Sequence, residues 1–538
     1  MESHPRQPIS PEEIVVEATK RAFSRRAVLK IGGLGLASLA TLGALEAVSF
    51  IPKRLAQAAP ASTNFPDIQF DIGNFIAPVQ TFNGIPFHFG PVYTLFVTAR
   101  LTRTPSKQDQ QTLANALNTI EANFPFSPSG VFTFVAYGLS YFNRLPQSLV
   151  ASHMPRLVID NTRFPLEEAV PSPTDVLDAN PQPPRKKEKF NVPVRIESND
   201  VLFSIRSDNL VNVFEVAAWL QGIGFLNGNF VSSPDFDGLF NFTSTRLMFV
   251  QIGLPRKIAA AAGLPYASEI NPNSPMFGGV ADQHVNGAGP GPILTFAGNS
   301  SAVLTTARAG DYFDNASIQH LSHNINDLDQ FYRKAPLTPS ADPETFTERL
   351  QYMFSSPPGS LDPNHPNLGN SPTDPFTNGG ANIPANLSAF IPNTFFGPNA
   401  ALTNYDPDDL ANGIKTLRGG HEMGLQRSSR APDGTPLHAR MDGPGFDPMD
   451  VPDGSNQPKL HFSAFFPTAD FFQKMRANVA MIDLLAKADG GTEANVPAGV
   501  NPIAMKDNGL ERFITATRRQ NFLIPPRRHR AFPLLELT

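Results

Sequence analysis

The order of short apolar runs between Pro91 and Gly253 constrains this chain more than any other feature. "PVYTLFVTARL" (Pro91 to Leu101) has the β-branched and aromatic content of a strand. "TPSKQDQQTLANALNTIEANF" (Thr104 to Phe124) follows with apolar residues at helical spacing, and Thr104 before Pro105 predicts an N-cap with proline in the first turn. "GVFTFVAYGLSYF" (Gly130 to Phe142) and "DVLFSIRSDN" (Asp200 to Asn209) read as two further strands, and "LVNVFEVAAWLQGI" (Leu210 to Ile223) returns to the helical period. "RLMFVQIG" (Arg246 to Gly253) supplies a fourth strand. Strand, helix, strand, strand, helix, strand is the βαββαβ order of a ferredoxin-like unit.

The second half repeats the plan without repeating residues. "SIQHLSHNINDLDQFYRK" (Ser317 to Lys334) reads as a strand running into a helix, and "KLHFSAFF" (Lys459 to Phe466) as a strand. "TADFFQKMRANVAMIDLLAK" (Thr468 to Lys487) reads as a helix capped by Thr468, with Asp470 in its first turn. Two ferredoxin-like halves in an α+β chain are the most economical count of elements. Two stretches interrupt it: the Pro- and charge-rich Glu167 to Phe190, and Leu337 to Asp409, dominated by Pro, Asn and Gly. Loops of that length are expected to wrap the surface as insertions.

Ahead of the first half, "SRRAVLKIGGLGLASLATLGA" (Ser24 to Ala44) sets two arginines, Arg25 and Arg26, before an apolar run, and small residues follow at Ala56 to Ala61. That layout resembles a twin-arginine export signal, which a receptor reads and which carries a protein across the membrane already folded. A single membrane anchor is the competing reading, since Ala27 to Ile51 is long enough to span a bilayer. The run is Gly- and Ala-rich and carries Lys30 and Glu46, so it is only mildly apolar. The expected division is therefore a signal over 1–60, an N-terminal half over 61–295 and a C-terminal half over 296–538. The expected destination is the periplasm or the outside of the cell.

The mature part has about 480 residues, enough for two domains. It contains no cysteine, which excludes disulfides, thiolate-bound metals, iron–sulfur clusters and a cysteine nucleophile. Any cofactor must be held by His, Met, Tyr, carboxylate or backbone. The formal net charge is −5 and basic residues are dispersed, so no nucleic-acid footprint is visible. The one basic cluster, "PPRRHR" at Pro525 to Arg530, reads as a solvated tail or a docking strand. Phenylalanine (43) far exceeds tyrosine (8) and tryptophan (1), which suits a wide core or an apolar cavity. No Gly-x-Ser-x-Gly elbow, phosphate loop or dinucleotide fingerprint occurs.

The pairing of "VFTFVAYGLSYF" with "NDVLFSIRSDNLVNVFEVAAWL" resembles the N-terminal half of dye-decolorizing peroxidases. The resemblance implies two ferredoxin-like domains of the dimeric α+β barrel type, a haem b cofactor with its iron, hydrogen peroxide and an organic reductant as substrates, and export by the twin-arginine translocation machinery. It is compatible with a homo-oligomer. The family's Gly-x-x-Asp-Gly loop is matched by "GGVADQHVNG", with Gly279 and Asp282 in place and Gln283 where the second glycine belongs. The family's haem-ligating histidine followed by an Arg-x-x-x-Pro segment is matched by His421 in "LRGGHEMGLQ" and by Arg440 with Pro444 in "PLHARMDGPGF". Gly279, Asp282, His421 and Arg440 are thereby the implied haem pocket: His421 on the iron, Asp282 as proton shuttle and Arg440 as the charge that stabilises the departing oxygen.

His438, His320 and His323 compete with His421 as ligands. A scaffold of this kind that has lost peroxidase chemistry, or its haem, is the second reading, supported by Gln283. The third is a haem-free metal enzyme using "HLSH" (His320 to His323) with Asp327, on the premise that residues three apart share a helix face. Trp219, the only tryptophan, falls on an apolar helix face and is expected in the core, so either a tyrosine relays electrons, or the substrate is small, or peroxidase activity is poor.

Overall fold

The computed structural model describes residues 65–278, 291–332, 437–476 and 513–538, apart from short breaks within them. The first half is built from β1 (Tyr93–Leu101), α1 (Lys107–Asn123), β2 (Phe132–Gly138), β3 (Val201–Ser207), α2 (Leu210–Leu220) and β4 (Phe240–Phe249). Their order in the sheet is β2-β3-β1-β4, antiparallel at every step, which is the ferredoxin-like arrangement. Alternation along each strand explains the layering. Leu95 and Val97 of β1 and Phe203 and Ile205 of β3 face the helices, packing with Leu113, Leu117 and Ile120 of α1 and Val213, Val216 and Trp219 of α2. Phe96, Phe134 and Leu202, at the intervening positions, face the other way and form a second cluster.

The helix α1 begins later than the Thr104–Pro105 pair predicts. Ser106 is the N-cap and forms a capping box with Asp109, which Arg103 also grips. Two reciprocal bonds satisfy donors that the Thr104 start would leave open. Trp219 is buried and its indole N–H donates to Val231 O at 3.0 Å, so it is a satisfied core residue.

The second half consists of β5 (Ser317–Asn326), α3 (Leu328–Tyr332), β6 (Ala439–Arg440), β7 (Gly443–Asp447), β8 (Gln457–Phe466) and β9 (Ile514–Ile524). Here the sheet order is β7-β8-β5-β9, again all antiparallel, with β6 also on β8. The two halves therefore share one topology. The predicted Thr468 helix starts at Ala469, and most of it, like Leu337 to Asp409, lies outside the described residues.

The halves join where β9 pairs with β2 (Phe522 with Gly138, Leu523 with Tyr137). Gly138 is required there: a Cβ would stand 2.2 Å from Asn199 O. At the opposite edge β7 packs on β4, with Gly443 against the side chains of Met248 and Val250. Gln319 of β5 also donates across the interior to Ser204 of β3 at 3.3 Å. The sheet thus curls until its two edges meet, leaving an inner face and an outer, helix-covered face.

The C-terminal tail is not a solvated arm. Arg527 and Arg530 both pair with Glu121 of α1, Arg528 pairs with Asp67 and Asp314, and Tyr137 Oη donates to Arg530 O at 2.7 Å. The cluster is a strap docked on α1 and Asp67 of the first half and on Asp314 of the second. Among the described residues, no helix is long and apolar enough to cross a membrane.

Candidate functional site

Gly279, Asp282, Gln283 and His421 lie outside the described residues. Arg440 is described, half-buried on β6 opposite Ala464 of β8, which in turn stands opposite His320 of β5, itself opposite Asn521 of β9. Residues paired across neighbouring strands share a face, so Arg440, Ala464, His320 and Asn521 form one row on the outer face. Around it lie Leu437, Phe462, Phe466 and Phe472.

His320 is buried in this row. Its ring stacks on Phe472 with centroids 3.7 Å apart, its Nδ1 is 2.7 Å from Asn521 Oδ1, and its Nε2 has no hydrogen-bond partner. Burial, reinforced by the positive charge of Arg519, holds its pKa well below the usual histidine value, so the ring is neutral. His438 is buried on the same side, its ring 6.4 Å from that of Phe466.

His323 is elsewhere. The "HLSH" stretch is strand, not helix, and on a strand a spacing of three places the two residues on opposite faces. The helix-face pairing of His320 with His323 is therefore corrected, and Asp327 joins neither: it follows the strand's end, where burial raises its carboxyl to about 6.

His323 points inward, directly opposite His461 of β8, with the two Nδ1 atoms 3.2 Å apart. Asp447, the last residue of β7, completes a cluster that the sequence reading missed: His461 Nε2 is 3.6 Å and His323 Nε2 is 3.8 Å from its carboxylate oxygens. Lys459 Nζ also stands 3.8 Å from Asp447 and donates to Met449 O at 2.7 Å. Burial alone would raise the Asp447 pKa, but His323, His461 and Lys459 together hold it well below the carboxylate range. Burial lowers both histidines against the pull of Asp447, and brings Lys459 down to about 8.

The rest of that end of the interior is ionic. Arg246 pairs with Glu197, which also accepts from Arg518 at 3.2 Å, and Arg518 grips Asp450 with two bonds of 2.6 and 2.7 Å. Arg246 is fully buried, and its Nε and Nη1 have no acceptor. The available signal for this region was the pair of residue types, His and Asp, on separate strands. Only pairing register brings them together.

No protein-family model matches the chain, and no curated protein matches it. Among solved structures, it is similar to a DyP-type peroxidase protein from Shewanella oneidensis, at 15% identity over 88% of this chain and 99% of that one, with a TM-score of 0.40. It is similar to the encapsulated DyP-type peroxidase from Mycobacterium smegmatis at 12% identity, over 83% and 96% of the two chains, with a TM-score of 0.40. A variant of Rhodococcus jostii DypB in complex with heme matches at 10% identity, over 82% and 96%, also at 0.40. Identities and scores this low assign no residue a role.

Proposed function

We propose that this chain is a haem-dependent peroxidase, a divergent member of the dye-decolorizing group, exported already folded by the twin-arginine route, with a signal over 1–60 and halves over 61–295 and 296–538. The observation that carries the reading is the outer-face row of the second half. It sets a guanidinium, Arg440, and a neutral imidazole with a bare Nε2, His320, on either side of the small Ala464. An apolar wall of Phe462, Phe466, Phe472 and Leu437 surrounds them. These groups fit a haem: the apolar surround suits its macrocycle, Arg440 supplies a cation beside it, and the neutral imidazole of His320 is a ligand in reserve should His421 not hold the iron.

When bound, haem supplies the redox iron at which hydrogen peroxide is reduced and an organic reductant is oxidised. The chain's own residues do the rest. Arg440 places a permanent positive charge where negative charge develops on the departing oxygen, and in a site shielded from water that charge acts strongly. Asp282 takes the proton from one peroxide oxygen and returns it to the other. His421 is the assigned iron ligand, from its place in the sequence ahead of Arg440. His320 is the second candidate, favoured by its unpartnered, buried Nε2.

An absorption spectrum of the mature protein supplied with haem tests this. A Soret band is expected, lost or shifted in His421→Ala and retained in His320→Ala; the reverse pattern transfers the ligand role to His320. Absence of the band in the wild type sinks the peroxidase reading and leaves a scaffold without haem. For export, replacing Arg25 and Arg26 by lysine should trap the protein in the cytoplasm, and unchanged export would remove the twin-arginine assignment.

A further inference from the structure

We propose that the inner face of the barrel carries a separate site for one divalent transition-metal ion, bound by His323, His461 and Asp447. Pairing register builds it. His323 of β5 stands opposite His461 of β8, His461 opposite Gly443 of β7, and Asp447 is the next residue after Gly445 on the same inward face of β7. Both imidazole Nε2 atoms are buried without a hydrogen-bond partner, and each faces the same carboxylate at 3.6 or 3.8 Å. Those separations are too long for hydrogen bonds. They are close to the edge of a tetrahedron around an ion about 2.1 Å from each ligand, roughly 3.4 Å. Two imidazoles and one carboxylate with positions left open are the donor set of a reactive first-row metal centre.

The surroundings agree with this assignment. Gly445 lets the β7 backbone approach closely, since a Cβ there would sit 2.3 Å from His461 Nε2. The Asp447 side chain keeps 17% of its exposure, which gives an ion a way in at the end of β7. Arg246, buried in the same interior, close enough for its charge to act on both histidines and with Nε and Nη1 lacking acceptors, has donors to spare for a water or anion. Two features oppose binding. The Nδ1 contact between the rings must open before both Nε2 atoms can ligate, and Lys459 already offers Asp447 a positive charge at 3.8 Å. The site is distinct from the row containing Arg440 and His320, because His320 and His323 project to opposite faces of β5.

The test is calorimetric titration of the full chain, stripped with a chelator, with zinc chloride, and the absorption spectrum of the same protein loaded with Co²⁺. One equivalent of Zn²⁺ is expected, with visible ligand-field bands for cobalt. Asp447→Asn and His461→Gln should weaken binding by more than about 100-fold, since even partners behind the ligands are worth about 10–100-fold. Lys459→Met, which removes the competing charge, should tighten binding by at least about tenfold. Should His461→Gln fail to fold, Asp447→Asn and Lys459→Met decide the matter. No zinc uptake by the wild type, or uptake unaltered by both of those substitutions, overturns the proposal. Zinc and cobalt are read independently of any Soret band, so the result does not depend on haem.

Discussion

The two halves of the sheet have the same strand order and bury different chemistry. In the first half the strand residues under the helices are mostly apolar, Leu95, Val97, Phe203 and Ile205 meeting Leu117, Val213 and Trp219, with Thr133 of β2 a buried polar exception. In the second half the corresponding face carries His320, Arg519 and Asn521, and Arg519 is neutralised by Asp175 of the long Glu167 to Phe190 excursion through bonds of 2.6 and 2.8 Å. Buried polar groups cost stability unless each is satisfied. A half that sets a histidine, an arginine and an amide on its helix-covered strand face, beside a half of the same strand order whose corresponding face is mostly apolar, is therefore the half where function is to be sought.

The largest effect that would sharpen this contrast is expected at Phe203, fully buried on β3 and packed edge-on against Phe240 at 5.7 Å. Phe203→Ala should lower unfolding free energy by about 3–5 kcal/mol, measured by denaturant titration, and leave the Soret band in place. Loss of the band would mean that the first half is not merely support.

A smaller effect, and one that could break the contrast, is expected at His320. His320→Phe keeps an aromatic ring against Phe472 and removes an unsatisfied Nε2, but it also takes the hydrogen-bond partner from the buried Asn521 Oδ1, so stability at neutral pH should fall by about 1–3 kcal/mol. The acid dependence should change more clearly. The pKa of His320 is depressed in the folded chain, so the unfolded chain binds more protons. The stability contributed by this group is then present above the unfolded value of about 6.5 and lost as pH falls below it. Thermal melts from pH 7 to 5 should fall less steeply for His320→Phe than for the wild type. Equal slopes would show that His320 takes up its proton in the folded state and that the second half bears no special electrostatic burden there.

Much of the architecture was legible because local signals agreed with the fold. β1, β3, α2 and β8 sit where apolar period and β-branched content place them, since each buries a continuous apolar face. β9 was not legible. Its segment "ITATRRQNFLI" puts Arg518, Arg519, Gln520 and Asn521 in a row, and these residues satisfy themselves only on distant partners: Asp450, Asp175, Asn199 and the carbonyl of Glu167. β7, "GPGFD", reads as a turn because its glycines answer a close approach between strands rather than a local bend.

The amino-acid sequence by itself determined the βαββαβ order of the first half, the strands at Ser317 and Lys459 of the second, the absence of any cysteine chemistry and the core position of Trp219, because hydrophobic period and residue type act over a few neighbours. Only the tertiary structure decided that His320 and His323 serve opposite faces, that Arg440 shares a row with His320, and that His323, His461 and Asp447 converge. Those outcomes depend on strand register, and register is set by the burial of whole faces between segments far apart in the chain.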